Sequence, residues 1–309
     1  MIIAYKTANR VLPDFWHKFS PHKFTLPQLF ACNVLRVVLK TDYRGVAEFL
    51  KDCSDLRDAI GLRTVPHFTT LHKASQRLLC HKIANKLLLN TIKKLTKGKD
   101  IVELAAIDSS GFDSNYVSRY FVRRRRSKKL NLWEDVIYKR FPKLAIVCDC
   151  SNHAILSVMT ARGPSVDVNQ FRQPLKPAAE RVKINHLLAD AGYDSEPNHE
   201  YAREVYNIKT TIPPKAGRPG SNLPKGKYRR EMRTNFNTEV YGQRWQVETV
   251  FSMIKRNYGS ALRARNEESQ AREMLLLVLT HNIAIIQLVK ELFYRAGQTP
   301  FLIESMFLL

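Results

Sequence analysis

Ile101-Val-Glu-Leu-Ala-Ala-Ile-Asp-Ser-Ser-Gly111 is where the pattern of the chain changes. A short apolar run, Ile101–Ile107, ends in an acid followed by small residues, which reads as a buried strand and the turn beyond it. Further on, Leu144-Ala-Ile-Val-Cys-Asp-Cys-Ser-Asn-His is apolar and then turn-like, and Ala154–Thr160 is apolar again. Together they predict a hairpin turning near Asn152. Asp167–Val182 has helical spacing through Phe171, Leu175, Ala178 and Ala179. His186–Asp190 is a second short strand closed by an acid. A helix over Pro197–Val205 and a strand near Ile208–Ile212 follow. Strands and helices alternating after an opening hairpin predict a mixed α/β domain.

Before residue 101 the periodicity is helical. Thr25-Leu-Pro has a cap residue with proline at an early helical position, leading into Leu29, Phe30, Val34, Leu35, Val37, Val38 and Leu39. Tyr43–Leu50 continues the pattern, and Asp55–Ile60 is closed by Gly61, a helix stop. Another helix starts near Thr64 and runs through Leu71, Ala74, Leu78 and Leu79. Residues 24–90 thus read equally well as an ordinary small helical bundle or as a helix-turn-helix element.

Composition bounds the partners. Of 309 residues, 44% are hydrophobic and 25% charged, ordinary for a globular chain, but 50 Lys and Arg face only 28 Asp and Glu, a formal charge of +22. Such an excess calls for a polyanion, most commonly nucleic acid. Two runs concentrate it. Arg119–Lys129 has seven basic residues and no acid. Pro213–Arg233 has seven against one, and its four prolines and three glycines predict a mobile loop without regular structure. Both read as phosphate contacts, a solvated face being the alternative. Cys32, Cys53, Cys80, Cys148 and Cys150 form no Cys-x-x-Cys pair, and Cys148 and Cys150 read as small buried side chains on one strand face. The opening MIIAYKTANR has no leader-like pattern, and Met274–Val289 is short and interrupted by Thr280, His281, Asn282 and Gln287. The expectation is a reduced cytoplasmic, nucleoid-associated protein without a membrane partner.

Asp108 and Asp190 each close a short strand and precede small residues, the place where open α/β sheets put their chemistry. Each alone is weak evidence, because Asp is a common turn residue. Tyr241, Arg244, Glu248 and Lys255 lie at offsets 0, 3, 7 and 14. In one helix they would share a stripe about 60° wide, at roughly 100° per residue. Val247, Val250, Phe251 and Ile254 would form a separate anchoring face. A salt-bridged surface needs only Arg244 and Glu248; it explains neither Tyr241 nor Lys255.

The pattern Tyr-x2-Arg-x3-Glu-x6-Lys, with a strand-end Asp before it and Leu187-Leu-Ala-Asp190-Ala-Gly-Tyr-Asp194 between, resembles the DDE transposases of bacterial and archaeal insertion sequences. The resemblance covers about residues 20–290. It implies an α/β, ribonuclease-H-like mixed sheet flanked by helices over 99–290, with a basic loop at 213–237. It also implies an all-helical DNA-binding domain over 1–98, leaving 291–309 as a tail. Residues 213–237 are short for the large β-insertion that some members carry. Asp108, Asp190 and Glu248 would be the catalytic, metal-binding triad, taking two Mg²⁺ ions or Mn²⁺ in their place. Tyr241, Arg244 and Lys255 would contact DNA near the reacting end. The implied activity is metal-dependent cleavage of element ends and strand transfer into target DNA by a homodimer on double-stranded DNA. Two-metal phosphodiester chemistry needs only hard oxygen ligands, which three carboxylates supply. A nuclease of the same fold, or a DNA-binding protein with a decayed catalytic domain, are the alternatives. Asp194 reads as the cap of the helix near Pro197.

Overall fold

A computed structural model describes residues 1–96, 101–114, 140–215 and 223–295. The run Arg119–Lys129 lies outside these residues, as do 216–222 of the second basic stretch and 296–309 of the expected tail.

Six helices open the chain: α1 (Ile2–Asn9), α2 (Leu26–Val38), α3 (Tyr43–Asp52), α4 (Ser54–Asp58), α5 (Phe68–Leu78) and α6 (His81–Leu95). The start of α2 is a full capping box. Thr25 Oγ1 accepts from Gln28 N and Gln28 Oε1 accepts from Thr25 N, with Pro27 in the first turn. The Gln28 amide then donates to the carbonyls of Ile60 and Gly61, tying α2 to the α4–α5 connection. Gly61 adopts φ +63°, so the expected stop uses the freedom that glycine has there. The connection from α4 to α5, residues 59–67, is longer than the three or four residues of a tight helix-turn-helix.

Strands β1 (Ile101–Gly111), β3 (Phe141–Asp149), β4 (Ile155–Gly163), β5 (Lys183–Ala189) and β6 (Lys209–Thr211) form one sheet in the order β4-β3-β1-β5-β6. A pair, β2 (Asp113–Ser114) and β7 (Ala261–Leu262), extends β1 beyond the sheet. β3 is antiparallel to β1 and β4, whereas β5 runs parallel to β1 and β6 parallel to β5. The expected mixed α/β architecture and the hairpin near Asn152 are both present. From Pro142 onward β3 is buried along its length, as in a strand covered on both faces. α7 (Arg172–Arg181) packs against β3, β4 and β5. α11 (Trp245–Tyr258) and α12 (Glu267–Arg295) pack against β1, β3 and β4. The side of each is read from strand alternation. Ser157 of β4 donates to Pro174 O of α7, and Val147 and Ile107 align with it across the sheet. Asp108 and Ser110 therefore face the other way, toward α11.

Three expectations about the extent of strands and helices need correction. Asp108 does not end its strand, because β1 continues to Gly111, where antiparallel pairing with β3 persists. Pro213–Arg233 is not without regular structure, since α9 occupies Lys227–Thr234. The helix is made by tertiary anchors. After α8 (Glu196–Glu200), the carboxylate of Glu196 accepts from the amides of Tyr228 and Arg229, at 2.9 Å each. It thus caps a helix start with no side-chain cap of its own. Tyr228 and Met232 are buried beneath it. Thirdly, the motif residues are not on one continuous helix. α10 (Thr238–Gly242) ends before α11 begins. Around this joint the amides of Gln243, Arg244, Gln246 and Val247 bond three residues back, after the weak helix former Gly242.

α12 is also longer than its apolar run, and Glu267–Leu292 is long and apolar enough by length and composition to cross a membrane. Here it is a core helix packed on α2, α6 and β4. Most of its buried polar groups are partnered, Gln270 Oε1 being an exception. Asn282 donates to Ile155 O and Thr91 Oγ1 and accepts from Ile155 N, and Thr280 Oγ1 donates to Leu276 O. One apolar cluster runs from the N-terminal helices through the sheet to α12. All five cysteines are free thiols, and Cys148 and Cys150 are buried as expected.

Candidate active site

β1 and β5 are in register with Ile107 opposite Ala189, so the next residue of each, Asp108 and Asp190, are neighbours on parallel chains. Asp190 Oδ1 accepts from Ala191 N and Asp108 Oδ1 from Ser109 N, each at 2.7 Å, a turn-like bond that orients each carboxylate.

α11 brings the third acid. Val247, Val250, Phe251 and Ile254 are buried at i, i+3, i+4 and i+7, each contributing ~1.5–3 kcal/mol relative to exposure. Glu248 lies in the first turn and Lys255 and Arg256 in the last, both favourable to the helix dipole. Gly259, at φ +104°, ends the helix with its N–H on Lys255 O.

Arg244 joins the two walls. Its guanidinium pairs with Glu248 one turn on and, at 3.5 Å, with Asp108 on the sheet. The side chain is 20% exposed, as against 55% for Glu248, so it sits inside the crevice while Glu248 lines the mouth. Burial alone would lower the Arg244 pKa; the bond to Glu248 and the charges of Tyr241, Glu248 and Asp108 raise it above the ordinary value. The Tyr241 ring lies 6.0 Å from the guanidinium despite the joint between the helices. Lys255 Nζ donates to Ser110 Oγ at 2.7 Å, two residues beyond Asp108 on the same face, and lies over the Phe112 ring. Burial pushes its pKa down.

Asp108 carries the main electrostatic strain. Burial pushes its pKa up from 3.8 to about 6, outweighing the Ser109 amide and Arg244, while Asp190 and Asp167 add repulsion. Asp167 escaped sequence reasoning. It accepts from Ser109 Oγ at 2.9 Å and Lys143 Nζ at 2.6 Å, behind the strand that carries Asp108. Nothing local marks it, since both partners are distant in sequence. Asp194 does not cap α8; Ser195 does. Asp194 is instead fully buried and receives Arg229 Nε and Nη2 together with the Lys215 amide.

Oxygen donors on a strand, a strand end and a helix suit a hard divalent cation in kind. An under-compensated Asp108 adds demand for positive charge. Among the described residues, no three His, Cys, Asp or Glu side chains are gathered closely enough to hold an ion as they stand. Arg244 lies between Asp108 and Glu248.

No curated protein matches the chain in sequence. Among solved structures, the cryo-EM structure of the piggyBac transposase synaptic complex with hairpin DNA aligns at a TM-score of 0.50 and 11% identity, over 99% of this chain and 75% of that one. The Mos1 strand transfer complex aligns at a TM-score of 0.28 and 12% identity, over 89% and 78%. The family model described as "Transposase DDE domain" matches residues 107–283, from the residue before Asp108 to beyond the motif helix. With that match spanning more than half of its length, the chain belongs to the DDE-domain transposase family.

Proposed function

We propose that the chain is a metal-dependent transposase that cuts the ends of its insertion sequence and joins them to target DNA. The observation that carries this is the meeting of two neighbouring strand acids with a helix acid through one arginine, Asp108–Arg244–Glu248 beside Asp190. A sheet whose first three long strands are antiparallel and whose next two are parallel supports a ribonuclease-H-like reading of 99–290. Asp108, Asp190 and Glu248 would hold Mg²⁺, or Mn²⁺ in its place. The ions would supply an acidified water and charge neutralisation at the leaving oxygen. The protein's own part is positioning. Arg244 offers a bidentate fork to a phosphate once it leaves the acids, Lys255 a point charge held on Ser110, and Tyr241 an aromatic hydroxyl at the mouth.

The charge of +22 supports double-stranded DNA, at element ends and target, as partner. The piggyBac structure holds hairpin DNA. A homodimer on DNA, end recognition by the helices of 1–98, and a cytoplasmic location complete the proposal. The deciding experiment incubates the protein with Mg²⁺ and DNA bearing the flanks of its own element. Cleavage followed by joining is expected. Cleavage without joining indicates a nuclease, and binding without cleavage a decayed catalytic domain.

A further inference from the structure

A cleft of about 700 Å³ separates the N-terminal helices from the start of α12, away from the acidic crevice. Arg36 of α2 and His72 of α5 line one wall; Arg263 and Arg265 after β7 and Arg272 of α12 line the other. Two acids, Asp42 and Glu273, also face it, but both are engaged by backbone amides. Asp42 Oδ1 accepts from Gly45 N at 2.7 Å, and the Glu273 carboxylate accepts from the amides of Arg263 and Ala264. Arg272 pairs with Glu268, a mostly exposed residue outside the cleft.

Arg36 is the telling residue. It is 6% exposed, and its Nε has no hydrogen-bond partner. Among the described residues no carboxylate pairs with it. The Tyr43 ring covers its guanidinium at 4.5 Å. A guanidinium withdrawn from water without a counter-anion is costly, and a ring over its face leaves the N–H edge free for a planar or tetrahedral oxyanion. The far wall follows directly from β7, which pairs with β2 at the end of the strand path carrying Asp108 and Ser110.

We propose that this cleft is a phosphate-binding site centred on Arg36, taking a backbone phosphate of DNA outside the acidic crevice. This source rests on DNA being the partner; a free phosphate ligand shares the chemistry. The test uses the full chain with Arg36→Met and, as a more accessible change, Arg272→Gln. Duplex DNA is titrated at several KCl concentrations, and melting is followed with inorganic pyrophosphate alone. Each variant should bind the duplex about tenfold more weakly, with a salt slope shallower by roughly one counterion. Cleavage at saturating DNA should stay as in the parent. Pyrophosphate should raise the melting temperature of the parent and not of the variants. If pyrophosphate stabilisation depends on these residues but duplex affinity does not, the site takes a free phosphate ligand. Should neither measurement respond in either folded variant, the proposal is overturned, whatever the crevice does. A parent that binds no duplex defeats the DNA reading of the whole chain, and the pyrophosphate arm then judges the cleft alone. If Arg36→Met does not fold, Arg272→Gln decides.

Discussion

On the proposed reading, Glu248 and Arg244 divide chemistry from positioning within one ion pair. Glu248→Gln keeps the shape and removes a negative charge from the crevice mouth, so cleavage in Mg²⁺ should vanish while DNA binding holds or tightens. A paired titration of binding and cleavage checks it, and near-normal cutting would reduce the motif to a salt-bridged surface. Arg244→Ala and Lys255→Ala should act in the opposite sense, each weakening end binding by about 1.5–3 kcal/mol, the range of charge-assisted hydrogen bonds. Cleavage should then recover partly at high DNA concentration. Lys255→Ala also strands Ser110 Oγ, whose bond to Nζ links the end of α11 to β1.

At the level of elements, α9 depends on α8 for its start and on Asp194 for its place. Asp194 is fully buried whereas Arg229 is about a third exposed. Removing either partner is therefore unequal. Arg229→Met leaves a buried carboxylate with the Lys215 amide and, at 3.9 Å, His199 Nε2, and should destabilise by about 3 kcal/mol. Asp194→Asn leaves a guanidinium that can reach water and should cost about 1–2 kcal/mol. Urea melts of the two variants give the order, and the reverse order would refute the account. Gly226→Ala should also loosen α9, because a Cβ there collides with the Glu196 carboxylate that caps it. Reduced protection of the Tyr228 and Arg229 amides from hydrogen exchange would report that loss.

For the whole molecule, pH should act, among the described residues, through two buried histidines and a half-buried one against one carboxyl. His186, His199 and His281 are pushed down from 6.5 to about 4, chiefly by burial. Their contribution is complete above pH 6.5 and lost as pH falls toward 4, because unfolding lets them take up protons. Asp108, raised to about 6, works oppositely: its contribution is complete below about 3.8 and lost as pH rises through 6. Three groups against one give net proton uptake on unfolding across pH 4–6, so stability should rise with pH there. Each of these histidines adds at most about 1.4 kcal/mol per pH unit. Denaturant melts at pH 4.5 and 6 measure it, and equal stability at both would contradict the assignment. The metal binding proposed at Asp108 should strengthen through the same interval, as proton and cation compete for one carboxyl; calorimetry with Mg²⁺ at the two pH values tests it.

The alternation of short apolar runs and helical periods determined the mixed α/β class, because burial of one face imposes the period on the residues themselves. Spacing likewise determined that Val247, Val250, Phe251 and Ile254 anchor the motif helix and leave Glu248 on another face. What lay beyond local pattern was set by contacts between distant segments. β1 continues past Asp108 because β3 pairs with it to Gly111, and no residue of Ile101–Gly111 signals that partner. α9 forms in a segment of poor local propensity because Glu196 and Asp194 bind its first turn from outside. Asp167 and Arg36 acquire their surroundings only when chain segments far apart in sequence close around them. Periodicity is a property of neighbours along the chain, whereas desolvation and charge pairing depend on neighbours in space, and those exist only once the fold is formed.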